Sequence, residues 1–208
     1  TSAPTQANQI NCGTTCSASF NSGTTVTLTA TALAGSSFAG WSNGCSGTGT
    51  CVVSAAASPT ATFNLIPFDY TLSVPATTIT QGSSSSQTVT VTKSQGTAQA
   101  VTVAIGTLPT GVTLTSSNNQ ICTPTTGSCS VTFTYSATTS AAVGTSSISY
   151  TGTSSGVTPK SGTFSLTVNA IPTFSVSVTK QGTGTGTITS TSAPTQANQI
   201  NCGTTCSA

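Results

Sequence analysis

The residues able to do chemistry are few, and most are cysteines. Cys12, Cys16, Cys45, Cys51, Cys122, Cys129, Cys202 and Cys206 fall into four close pairs, spaced C-x3-C, C-x5-C, C-x6-C and again C-x3-C. Such pairs suit either metal coordination by thiolates or oxidation to disulfides. Cys12, Cys16, Cys45 and Cys51 would make a four-thiolate zinc site, but zinc pairs are usually C-x2-C or C-x4-C on turns, and the rest of the chain looks secreted. Disulfides are the preferred reading, with no metal or other cofactor expected. An oxidising, extracellular location follows.

Charge is almost absent. Lys93, Lys160, Lys180 and Asp69 are the whole set of charged side chains, and there is no Arg, Glu, His or Met. General acid–base catalysis needs a group that titrates near the working pH, and a lone carboxylate without histidine does not supply one. The chain is therefore not expected to be an enzyme. Three scattered lysines make no patch for nucleic acid, and one carboxylate makes no calcium site.

Two residues invite a sharper reading. Trp41, in GSSFAGWSNGC, could stack on a sugar, but between a strand and a cysteine pair it is read first as a core residue. Asp69 with Lys93 raises an intramolecular isopeptide bond, which needs a buried Lys, Asn and acid together. Asp69 sits in a linker-like FDY, so a solvated turn residue is expected. The hydroxyl-rich surface has room for O-linked glycans, and no N-x-S/T sequon is present.

The elements that position these residues read as strands. TTVTLTATAL (24–33), QTVTVTK (87–93), AVTVAI (100–105), CSVTFTYSA (129–137), SSISYTGT (146–153), GTFSLTV (162–168) and TFSVSVTK (173–180) alternate an apolar residue with Thr or Ser. Turn signals such as NSG (21–23), SNG (42–44), LPTG (108–111) and QGTGTG (181–186) separate them. No stretch has a helical period, so the fold class is all-β. Breaks fall at NLIPFDY (64–70) and VNAIPTF (168–174), where Pro after Ile predicts short extended linkers. No signal peptide is visible, which suits a mature chain or an internal fragment, and no apolar run reaches the ~18 residues of a membrane helix.

Between the breaks, residues 68–169 have the size and strand spacing of an immunoglobulin-like sandwich. Their sequence, with YTLSVPATTITQGSSSSQTVTVT, LPTGVTL and GTFSLTV, resembles bacterial Ig-like repeat domains. It lacks the long-range cystine and core Trp of antibody domains. The local pair Cys122 and Cys129 is expected to tie down the loop before CSVTFTYSA. Residues 12–63 carry GSSFAGWSNGCSGTGTC, in which Gly35, Ser36, Phe38, Gly40, Trp41, Cys45, Ser46, Gly47 and Cys51 match a GSxFxGWxxxCSGxxxC pattern. This stretch resembles the divergent InlB-type repeat of bacterial surface proteins. The resemblance implies a small β-grasp-like spacer module, not an enzyme. Disulfide loops at Cys12–Cys16 and Cys45–Cys51 would each add about 2 kcal/mol to so small a module.

One further feature bears on the whole chain. Thr1–Ala18 and Thr191–Ala208 are the same eighteen residues, TSAPTQANQINCGTTCSA, offset by 190 positions. A module of the InlB type begins with a strand and a glycine-rich hairpin; TFSVSVTKQGTGTGTITS precedes the second copy of the stretch and not the first. The expected organisation is a module lacking its first strands (1–65), the sandwich (68–169), and the start of the next module (173–208). This is one period of a tandem array seen with a short overlap. The expected function is a non-catalytic structural repeat of a long extracellular bacterial filament or stalk whose partners are its own neighbouring copies. Its nearly neutral surface suits a packed fibre. The alternatives are an adhesin or carbohydrate-binding module using Trp41, and a subunit polymerised by strand donation from 173–208.

Overall fold

The computed structural model describes residues 2–3, 10–13, 16–192 and 199–202. Among them the regular structure is all β, and the chain divides into two units, Thr1–Asn169 and Ala170–Ala208.

The first unit opens with two small sheets. Strands β1 (Ser2–Ala3), β2 (Val26–Leu28) and β4 (Cys51–Val53) form one, in the order β1-β2-β4; β3 (Ser36–Ser42) and β5 (Thr60–Leu65) pair antiparallel as the other. Their core is thin: Val26, Leu28 and Cys51 are the buried members, with Ile10, Phe20, Trp41, Cys45 and Val53 half-buried around them. The strand expected over 24–33 shortens to β2, and at the far end of that stretch Leu33 is 81% exposed.

The rest of the unit is a two-sheet sandwich. One sheet has the order β10 (Val112–Leu114), β12 (Ser128–Ala137), β8 (Ser84–Gln95), β6 (Asp69–Ser73). The other runs β11 (Gln120–Cys122), β9 (Val101–Ile105), β13 (Gly144–Ser154), β14 (Val157–Asn169), β7 (Thr77–Thr80). The alternation in the sequence is the reason: Val89 and Val91 of β8, Phe133 and Tyr135 of β12, and Leu166 and Val168 of β14 turn inward, while the Thr and Ser between them face out. Outward hydroxyls meet across strands, as in Thr145–Thr167 at 2.8 Å.

β7 lies parallel to β14, with Thr80 opposite Asn169, whereas β6 lies antiparallel to β8 in the other sheet. One edge of the chain thus changes sheets between Ser73 and Thr77. The stretch expected to be a linker is held in place. Ile66 N–H donates to Gly35 O at 2.8 Å, and Phe68 is buried and stacked on Tyr70 with ring centroids 5.7 Å apart.

In the second unit, Thr189 and Asn201 form an antiparallel bridge; Ser190 N–H donates to Ile200 O at 2.9 Å and Cys202 N–H to Ile188 O at 2.8 Å. The strand expected over 173–180 is reduced to a single bridge residue, Ser177. Phe174 is 88% and Val176 47% exposed.

Candidate functional site

Disulfides join Cys12 to Cys16, Cys45 to Cys51 and Cys122 to Cys129, with Cα–Cα distances of 4.4, 5.6 and 6.0 Å. Cys202 is buried, and its expected partner Cys206 lies outside the described residues. Cys122 is on β11 and Cys129 on β12, so this short bond links the two sheets of the sandwich. The bond closes the loop that precedes β12; what the sequence does not show is that β11, three residues long and too short for alternation to be visible, lies in the other sheet.

Trp41 sits on β3 where the backbone turns over the Cys45–Cys51 loop. Its N–H donates to Gly47 O at 2.9 Å, and its indole N–H donates to Gly49 O at 2.8 Å. The ring meets Phe38 edge-on at 5.5 Å and packs on the small core. Asn43, in the left-handed region at φ 58°, completes the loop by donating from Nδ2 to Thr60 Oγ1 at 3.0 Å. The one polar atom of the indole is therefore already committed to the fold. Its exposed face helps to line an open groove of about 1030 Å³, together with Ile10, Leu28, Leu33 and Phe63.

Asp69 does not meet Lys93. Its Oδ1 lies 2.9 Å from Nζ of Lys160, on β14, and also accepts the N–H of Tyr70 at 2.9 Å. Both ion-pair side chains are more than a third exposed, so the buried triad that an isopeptide bond requires is absent at Asp69. The Lys160 hydrogen bond, then the Tyr70 N–H, hold the Asp69 carboxyl below its ordinary 3.8. Lys93 stands opposite Tyr70 on β8.

The ion pair also marks a direction. Asp69 opens the sandwich beside Lys160, while Asn169 closes it beside Thr80, at the far end of the same β14 strand. At ~3.3 Å per residue, the nine steps from Lys160 to Asn169 span about 30 Å. The chain enters and leaves the sandwich at opposite poles.

Residues 3–67 match the divergent InlB B-repeat domain family. That is the part of the chain bearing the GSxFxGWxxxCSGxxxC pattern, so the match agrees with the resemblance read from those residues. No curated protein matches. Among solved structures, domains 4 and 5 of the S-layer protein SbsC align at 16% identity and a TM-score of 0.36, covering 66% of this chain and 67% of that one. Escherichia coli alpha-2-macroglobulin aligns at 17% identity and a TM-score of 0.39, covering 57% of this chain but 8% of its own.

Proposed function

We propose that the chain is a serial structural unit of a bacterial surface or extracellular protein, in which an InlB-type module and an Ig-like sandwich alternate along a stalk or filament. The observation that carries this reading is the placement of the sandwich ends. A module entered beside Lys160 and left beside Thr80, about 30 Å away, adds length to a chain each time it recurs. A module whose ends met at one pole would add bulk.

Three further observations support it. Residues 3–67 are similar to a repeat family, the eighteen-residue stretch recurs at an offset of 190, and disulfides suit an extracellular setting. The unit is non-catalytic: its one acid is neutralised in an exposed ion pair. Its partners are neighbouring copies, and its outward hydroxyl rows are available to O-linked glycans.

Electron microscopy of the native material, with the intact mass of its polypeptide, tests the reading. Elongated particles with a regular axial spacing are expected, with a polypeptide mass several times that of one 190-residue period and so well above the 20.3 kDa of these 208 residues. Dispersed, compact native particles of a single period would sink it.

A further inference from the structure

The connection from the InlB-type module to the sandwich is only Ile66, Pro67 and Phe68, between the end of β5 and the start of β6. Modules joined by a linker move against one another by default, unless something fixes the joint. Here every residue of the connection is held. Ile66 N–H donates to Gly35 O at 2.8 Å, while the ring of Pro67 fixes its own φ and keeps the residue before it extended. Phe68 is buried in the sandwich core.

Two neighbouring residues of the sandwich, in the loop after β8, pack against this joint. Gly96 approaches so closely that a Cβ there would stand 2.5 Å from Pro67 O and 2.6 Å from Phe68 N. Thr97 meets the module itself: a Cβ at Gly35 would stand 2.5 Å from Thr97 Oγ1. Gly35, at φ 81°, lies in the turn before β3, where Ser36 N–H donates to Leu33 O at 3.0 Å. One glycine of the module thus gives its carbonyl to the connection and its open α-carbon to the sandwich. We propose that this clasp, made by Gly35, Gly96 and Thr97, locks the InlB-type module and the sandwich into one rigid body.

A single tether leaves two bodies free to rotate about it, so a lock needs a contact away from the chain path. The Ile66 bond lies on that path, and the Thr97 contact does not. Both glycines hold a left-handed backbone and present no side chain, which lets the two surfaces close to a separation that no Cβ would allow. The lock rests on the reading of the chain as a serial unit and gives that unit its geometry. A unit whose internal joint has one angle adds the same vector each time it recurs; a loose joint would make a flexible string of modules.

The test uses the oxidised 208-residue chain, weakly aligned in solution for residual dipolar couplings. Couplings from amides of residues 26–65 and of residues 69–169 should fit one alignment tensor; two distinct tensors would overturn the proposal. The contact away from the chain path has its own test in G35C/T97C. A Cβ at Gly35 would lie 3.8 Å from Thr97 Cβ, the usual separation across a disulfide. The two introduced thiols should therefore join, read as a 35–97 cross-linked fragment under non-reducing conditions, with both sets of couplings still fitting one tensor. Thiols that stay free, or a cross-link that reorients the module, would count against the lock. A short Gly-Ser insertion between Leu65 and Ile66 should split the fit into two tensors while each module keeps its own internal couplings. A single tensor surviving that insertion would place the lock elsewhere and overturn the role of the clasp. A native polypeptide of several periods whose two modules show two tensors would remove the lock and leave the serial reading standing.

Discussion

Two tyrosines in the sandwich core show how one hydroxyl is worth keeping and another is not. Tyr135 is fully buried and donates to Gln87 Oε1 at 2.6 Å, while Gln87 Nε2 donates to Pro75 O at 2.5 Å. Tyr70 is equally buried, but among the described residues its hydroxyl makes no hydrogen bond of good geometry. Tyr135→Phe strands the Gln87 oxygen and should cost about 1–3 kcal/mol in urea unfolding, whereas Tyr70→Phe should be neutral or stabilising. Burial pushes the Tyr135 phenol up to about 12 from its ordinary 10. A raised folded value contributes stability that is complete below pH 10 and lost as pH rises from 10 through about 12. Urea midpoints measured over that range should fall, and the fall should shrink in Tyr135→Phe. None of this was legible in sequence, where Tyr70 and Tyr135 are alike as aromatic residues beside Thr. Trp41 was legible in part: its motif marked it as a packing residue, but that its face also borders a groove depends on where β5 lies.

At the scale of elements, the Cys122–Cys129 bond fastens β11 to β12 and so ties one sheet to the other. Replacing both cysteines with Ser should lower stability by about 2 kcal/mol, the loop-closure value for so short a ring, with the loss visible in equilibrium unfolding. Gly96 follows β8 at φ 69°, and a Cβ there would stand 2.5 Å from Pro67 O. Gly96→Ala should therefore destabilise by more than the ~1 kcal/mol of a backbone penalty alone, read as a drop in thermal midpoint. These two sites show where sequence reading stopped. The long strands β8, β12, β13 and β14 were visible because enough residues repeat with period two. β7, β10 and β11 were not, since three or four residues carry no period and are held by their neighbours. In NLIPFDY the short extended connection read from Pro67 leads straight into Phe68, whose packing into the sandwich core the sequence does not show.

For the whole molecule, the scarcity of charge has a measurable consequence. With its cysteines oxidised, no side chain titrates between the carboxylate range and the tyrosine range, so the thermal midpoint should be nearly flat from pH 5 to pH 9. Asp69, held below 3.8, contributes stability that is present above that value and is lost only as pH falls through its lowered folded value. A sloping profile between pH 5 and pH 9 would point to a free thiol. By itself the sequence determined the all-β class, the inward and outward faces of the long strands, the near absence of titratable chemistry, and the recurrence of one stretch. Each of these is a matter of local pattern or composition, written residue by residue. Only the tertiary structure decided that Asp69 meets Lys160 and not Lys93, that a local cystine bridges two sheets, and that the sandwich is entered and left at opposite poles. Those facts depend on which strands lie side by side. Strand order is set by the packing of the whole core, and no short window of residues contains it.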